Sequence, residues 1–172
     1  MALSSWIFVT LGVFLAGTVA YLSLTPAVAG GARPEPAKVG AALATLAPPG
    51  SDLQTLSVSY SDMHGLHGGL SLKISGDGRI SQQAVRTPAG EPKAAVAPAD
   101  LRRLIALLIE LAAWEQRVPD ARPVPDESRA HVRIEIAGSY SVIWERYNDL
   151  RRGQRIVRIR DLMSEIAWQP RP

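Results

Sequence analysis

His64 and His67 are the residues of this 172-residue chain whose types and spacing most directly suggest chemistry. Asp62 precedes them, and His131 lies on a later segment that could complete a metal site. Structural zinc prefers four ligands on a rigid frame, whereas the glycine-rich stretch around His64 and His67 is typical of a loop. We therefore interpret both histidines as polar loop side chains and predict no metal.

The other short motifs do not predict an enzyme. Asp77, within SGDG, lacks the series of oxygen donors and the closing glutamate of a calcium loop, so this stretch predicts a hairpin turn. The sequence has no phosphate-binding glycine motif with its lysine, no G-x-S-x-G and no cysteine. We expect a non-enzymatic protein with no catalytic residue and no cofactor.

An arginine-rich stretch stands out near the C-terminus, although the net charge is only +3. We predict a partner or lipid contact at four of its arginines, namely Arg151, Arg152, Arg155 and Arg158. In a helix, Arg151, Arg155 and Arg158 share a face. They could meet anionic lipid headgroups, bind acidic side chains of a partner, or form a solvated face paired with neighbouring carboxylates. Nucleic acid is not expected, because interleaved aromatic side chains are missing.

The opening of the chain is long and apolar enough to cross a membrane. From Trp6 to Leu24 every residue is apolar or weakly polar, close to the roughly 20 residues that a span needs. Pro26 follows and ends the helix. Trp6 and Tyr21 lie roughly 22 Å apart along a helix, near the two membrane interfaces that aromatic rings favour. We predict a transmembrane helix over residues 1–25.

A cleaved signal peptide is the alternative for this segment, because Ala27 and Ala29 supply the small residues of a cleavage site after Ala29. Retention is favoured, since the first five residues carry no Lys or Arg and the apolar stretch exceeds the usual h-region. Arg33 and Lys38 give only a weak indication of orientation. We expect a single-pass protein of the bacterial cytoplasmic membrane with a periplasmic C-terminal domain.

Small side chains recur at every fourth position of the predicted span, at Gly12, Ala16 and Ala20. They form one narrow stripe on a helix, and in lipid such a stripe allows a second helix to approach closely. Glycine and alanine are also common in any membrane helix. We predict this stripe as a helix-docking face.

Two regions follow the predicted span. Residues 26–50 are rich in Pro, Ala and Gly, a composition that predicts a linker. Residues 51–172 predict an α+β domain, an antiparallel sheet packed with two helices in the order strands, helix, hairpin, helix. Alternating apolar residues indicate the strands, as at Leu56, Val58 and Tyr60, and helical spacing indicates the helices, as at Leu101, Leu104 and Leu108.

The stretches GGLSLKISGDGRI, LRRLIALLIELAAW and PDESRAHVRIEIAG occur in that order. Over roughly residues 54–168 the chain resembles the emfourin-type protease-inhibitor domain of bacteria in pattern and turn placement. The resemblance implies a non-enzymatic domain that can block a secreted metalloprotease. The apolar N-terminal segment and the arginine-rich last helix depart from that family pattern.

Three functions follow from these observations. The first is an accessory or stabilising subunit of a larger membrane protein complex, held by the span and by contacts of the α+β domain. The second is an exported emfourin-like protease inhibitor. The third is an envelope lipid- or solute-binding domain that uses a cleft between sheet and helices.

Overall fold

The computed structural model describes residues 33–117, 127–146, 149–150 and 154–170. These residues form an α+β fold, a five-stranded antiparallel sheet with three helices. The elements in chain order are α1 (Pro36–Leu46), β1 (Leu56–Ser61), β2 (Gly69–Ser75), β3 (Ile80–Val85), α2 (Pro98–Glu110), β4 (Arg129–Ile136), β5 (Ser139–Arg146) and α3 (Arg155–Ala167).

The sheet has the strand order β3-β2-β1-β4-β5, and every neighbouring pair is antiparallel. β1 is central because it pairs with both β2 and β4. The hairpins β2-β3 and β4-β5 flank it, which confirms the two predicted hairpins. β3 and β5 are therefore the two edge strands.

The two faces of the sheet differ because successive side chains of a strand point to opposite sides. One face is apolar and buried under the helices, as Val58, Leu72 and Ile134 illustrate. The opposite face has no helix of the described residues packed on it and carries polar side chains such as Ser59 and Lys73. This is the pattern of an antiparallel sheet with one solvated face.

The helices α2 and α3 confirm the two predicted from helical periodicity. α2 begins with Pro98, a residue suited to the first turn because its missing N–H would have no helical partner. α3 buries Ile156, Ile159 and Met163 on one face. α2 and α3 also contact each other.

The prediction of a linker over residues 26–50 is wrong for residues 36–46, which form α1. Val39, Leu43 and Leu46 recur at helical spacing and are buried in the same core as the sheet. The prolines that suggested a spacer lie outside the helix interior, because Pro36 occupies the first turn and Pro48 follows the end. The fold therefore has one helix more than predicted, and it begins before residue 51.

α1 packs closely on the chain that follows α2. Gly40 lies against the indole of Trp114, and an added Cβ would come within 2.6 Å of a ring carbon. Alanine is the strongest helix former, so the alanine content that suggested an extended spacer in fact favours a helix once an apolar stripe can be buried.

Within the described ranges no helix is both long and apolar enough to span a membrane. The predicted span over residues 1–25 lies outside those ranges, and so do the residues assigned to it as helix-docking and interface positions. These are Trp6, Gly12, Ala16, Ala20 and Tyr21.

Candidate functional site

A cleft of about 950 Å³ opens at the end of the sheet where β1 leaves and β2 enters. The β1-β2 loop, the segment after β3, the end of β5 and the C-terminal half of α3 all contribute to it. Its lining combines apolar surface, from Leu70, Pro88 and Trp168, with charged side chains of both signs. Ligand sites in proteins have this size and this mixture of apolar walls and a few polar groups.

Asp62 forms one side of the cleft and is fixed by the chain itself. The Tyr60 hydroxyl donates to Oδ2 of Asp62 at 2.7 Å, and the backbone N–H of Leu70 donates to Oδ1 at 2.6 Å. Gly69 allows this approach, because its φ is +147° and an added Cβ would lie 2.6 Å from the Asp62 carbonyl oxygen. The loop geometry therefore depends on glycine at this position.

Tyr60 is fully buried and is joined to the cleft through its hydrogen bond with Asp62. Burial, followed by the hydrogen bond and the charge of Asp62, raises the pKa of its hydroxyl far above the ordinary value. The hydroxyl consequently stays protonated and acts as a permanent hydrogen-bond donor that orients Asp62.

Arg160 approaches the same network from α3. Its Nε and Nη2 both donate to Oδ1 of Asp161, at 3.0 and 2.8 Å. Burial lowers the pKa of Arg160, but the hydrogen bond and charge of Asp161 outweigh that effect and leave the pKa raised. The guanidinium therefore remains charged, with about a third of its side chain exposed.

A second group of charges lies where β4 begins and β5 ends. Glu127 accepts hydrogen bonds from Arg129 at 3.1 and 3.0 Å, and its other oxygen lies 2.6 Å from Nε of Arg146. Arg129 also stacks over the Trp144 ring at 3.8 Å, a cation–π contact. The side chain of Glu127 is only 11 % exposed, so this group is held firmly.

His64 and His67 lie on the rim of the cleft, stacked with ring centroids 4.9 Å apart. Nδ1 of His64 accepts from the backbone N–H groups of Leu66 and His67, which uses one of its possible metal-binding atoms for the loop. His131 is on β4, opposite Trp144 in the register. Among the described residues, no group of three or more His, Asp or Glu side chains is placed to hold a metal.

The predicted arginine contact is only partly described, because Arg151 and Arg152 lie outside the described residues. Nη2 of Arg155 donates to the carbonyl oxygens of Ala112 and Glu115, at 2.9 and 3.0 Å. Arg158 pairs with Glu110 at 2.8 Å. Both described arginines thus join α3 to the end of α2 and the turn after it.

The sequence predicts a cleft between sheet and helices, but it indicates neither the position of the cleft nor the roles there of Asp62 and Arg160, which line it, and of the buried Tyr60, which orients Asp62. The alternation in β1 predicts Tyr60 as a core residue, and the neighbouring histidines suggest Asp62 only as a metal ligand. One signal was available in principle, because Asp62 follows directly after a buried strand and precedes glycines that allow close backbone approach.

Comparisons of this chain with protein-family models, with curated proteins and with solved structures give no match. The resemblance to the emfourin-type domain therefore stays a prediction.

Proposed function

We propose that this chain is a single-span membrane protein whose folded domain acts as a non-enzymatic accessory subunit of a larger membrane complex. The apolar stretch from Trp6 to Leu24 is the basis for the membrane part of the proposal. The domain contributes a binding surface on the periplasmic side, and the cleft at the end of the sheet is the part of that surface that receives the partner.

The hydrogen bonds and ion pairs of the carboxylates in the cleft support a binding function over a catalytic one. Asp62 accepts from Tyr60 and Leu70, and Asp161 accepts from Arg160. Glu127 and Glu165, which also line the cleft, are each paired with an arginine. A general acid or base must reach the proton that it transfers, whereas Asp62 and Glu127, which are held by these contacts, fix the shape and charge of a recognition surface.

Site-specific photo-crosslinking in native membranes tests the proposal. Thr87 is exposed on the cleft wall, and Ala44 is exposed on α1 and is not among the cleft-lining residues. We expect a benzophenone side chain at Thr87 to give one defined adduct with a membrane protein, and the same group at Ala44 to give none. No adduct from Thr87, or equal adducts from both positions, would contradict a partner in the cleft.

The membrane part is tested separately. We expect Gly12→Ile or Ala16→Ile to detach the protein from its complex without unfolding the domain, because a bulky side chain blocks close helix approach. Unchanged co-purification of both variants in mild detergent would contradict the docking face. An unchanged circular dichroism spectrum serves as the control for folding.

A lipid- or solute-binding domain is the second candidate, and the size of the cleft supports it. Native mass spectrometry of the full-length protein, purified in mild detergent, would then show a bound small molecule that Arg160→Met loses. The emfourin-like inhibitor has no such structural support, and inhibition of a secreted metalloprotease by the purified protein remains its test.

A further inference from the structure

The two edge strands of the sheet, β5 and β3, differ in whether their outward backbone groups are hydrogen-bonded. Edge strands present unpaired backbone N–H and C=O groups that can pair with another chain, and proteins usually block them. At β5 the Tyr140 carbonyl accepts from the backbone N–H of Glu35 at 2.8 Å. The Gln116 side-chain amide bonds both the N–H and the C=O of Trp144, at 2.9 and 3.1 Å. Gln116 thereby occupies the place that a residue of a sixth strand would take.

The other edge, β3, is open. The N–H of Ser75 donates to the carbonyl of Arg79 at 2.9 Å, so these two residues form a hydrogen-bonded pair of the β2-β3 hairpin. Hydrogen-bonded pairs alternate along an antiparallel ladder, so the backbone groups of Ile80, Gln82 and Ala84 point away from β2. Within the described part of the chain, no hydrogen bond to these outward groups is found.

The usual protections of an edge are also missing from β3. The strand has six residues, Ile80–Val85, without proline, and no charged side chain points inward. On the helix side, the Gln82 side-chain amide is tied to the Gly90 carbonyl and the Trp168 indole. These two hydrogen bonds fix the middle of β3 to the rest of the domain and leave its outward backbone edge uncovered.

The charges at the two ends of β3 indicate what kind of strand fits. Arg79 precedes the strand with its side chain 84 % exposed, and Arg86 follows it and is also exposed. Arg79 pairs with Asp77, whereas Arg86 donates to the carbonyl of Leu66, and no ion pair of Arg86 occurs among the described residues. The two Cα atoms are about 23 Å apart along an extended strand.

A second copy of this chain fits this edge poorly. In an antiparallel pair of two copies centred on Gln82, Arg79 of one chain lies opposite Val85 of the other and next to its Arg86, so each end of the pair would carry two arginines and Asp77, the aspartate that already pairs with Arg79. A second copy therefore brings no free carboxylate to Arg86, whereas an acidic residue of another protein could form an ion pair with it. Acidic residues at both ends of the incoming strand would instead be complementary.

We propose that β3 is a strand-addition site that takes an extended segment of about six residues with an acidic residue at each end, contributed by the partner protein. This inference rests on the proposed function in that the segment belongs to the partner complex. It concerns a different surface from the cleft, so the two can fail independently.

A synthetic peptide can test the site without the partner. The probe is an acetylated and amidated heptapeptide of alternating valine and threonine with glutamate at both ends. Full-length protein in detergent micelles is titrated with it, and backbone amide shifts are followed by NMR. We expect saturable shifts at Ile80, Gln82 and Ala84, with the cleft residue Asp62 unchanged.

Two control peptides separate strand addition from unspecific binding. Lysine at both ends should weaken binding about threefold or more, the equivalent of two surface ion pairs. N-methylation of the amides that face β3 should weaken it by at least about tenfold, because several backbone hydrogen bonds are lost. Equal binding of all three peptides would overturn the proposal, as would shifts confined to other surfaces.

Two protein variants complete the test. Ala84→Pro removes an outward N–H without removing a β2-β3 hydrogen bond, so we expect a folded protein that no longer binds the probe. Arg86→Glu should reverse the preference towards the lysine-ended peptide and keeps the test valid if Ala84→Pro does not fold. Unchanged preference in Arg86→Glu, or dimerisation of the unliganded wild-type chain through β3, would also overturn the proposal. Cross-linking at Thr87 remains the separate test of the cleft.

Discussion

Leu43→Ala tests whether α1 belongs to the folded domain. Leu43 is completely buried among core residues of the sheet and helices. The substitution removes three carbon atoms, worth about 2.4 kcal/mol at roughly 0.8 kcal/mol each, and leaves a cavity that adds to the cost. We expect the free energy of unfolding to fall by about 3 kcal/mol. For a domain of this size the melting temperature should fall by roughly 9 °C.

The assay is thermal unfolding of the full-length protein in detergent, followed by circular dichroism and tryptophan fluorescence. Trp114 is a useful probe because its ring contacts α1 at Gly40. Ala41→Ser, on the exposed side of the same helix, is the matched control, with an expected change of no more than about 0.5 kcal/mol. If Leu43→Ala melts like Ala41→Ser, α1 does not stabilise the domain and the argument for it is refuted.

Three further predictions concern single side chains. Glu145 is 7 % exposed, and its Oε2 has no hydrogen-bond partner among the described residues. Burial raises the pKa of Glu145 despite the charge of Arg155. Ionisation of Glu145 therefore lowers the stability of the folded state as pH rises above the unfolded-state pKa. Urea unfolding of Glu145→Gln should show a gain of about 1 kcal/mol at pH 7 and none near pH 4, and an equal gain at both would contradict the ionisation argument. Gly69→Ala should lower the free energy of unfolding by about 1 to 3 kcal/mol in the same assay and displace Asp62. Gly65 has open space around it, so Gly65→Ala should lower the free energy of unfolding by less than about 1 kcal/mol. Equal effects of the two substitutions would refute the argument that Gly69 is needed for the close approach to Asp62. Arg155→Met should cost about 1 to 3 kcal/mol, because the Glu115 carbonyl loses the donor Arg155 and the Ala112 carbonyl keeps only the backbone N–H of Glu115. Arg158→Met should cost under about 1 kcal/mol, since its ion pair is exposed, and the reverse order would contradict these assignments.

The sheet was predictable because its strands obey a strict alternation. Val58 and Ile134 are both buried and directly opposite each other on the central strands, so period-two patterning reports their burial faithfully. The α+β order followed from the same pattern together with the helical spacing of Leu101 and Leu104. Periodicity of this kind predicts the folded structure because one face of each helix or strand must be buried.

α1 was not predictable by composition, because Ala, Gly and Pro indicate both spacers and short helices. The apolar stripe of Val39, Leu43 and Leu46 was present in the sequence, but three positions stabilise a helix only when a surface exists to receive them. That surface is formed by β4, β5 and α2, which are distant in sequence.

The position and lining of the cleft were not predictable because its residues come from separate parts of the chain. Tyr60 and Arg160 lie a hundred residues apart, and only the packing of α3 on β2 brings them together. A sequence pattern within one segment cannot indicate such a pairing. The same reason explains why Gln116 was not identified as the side chain that closes the edge at β5.

The most direct test of the central claim is the intact mass of the native protein in the fraction that contains its complex. The account predicts a chain of 18.5 kDa that needs detergent for extraction and co-purifies with a larger membrane protein at fixed stoichiometry. A shorter chain that begins at Gly30 and leaves the membrane in a salt wash would contradict it.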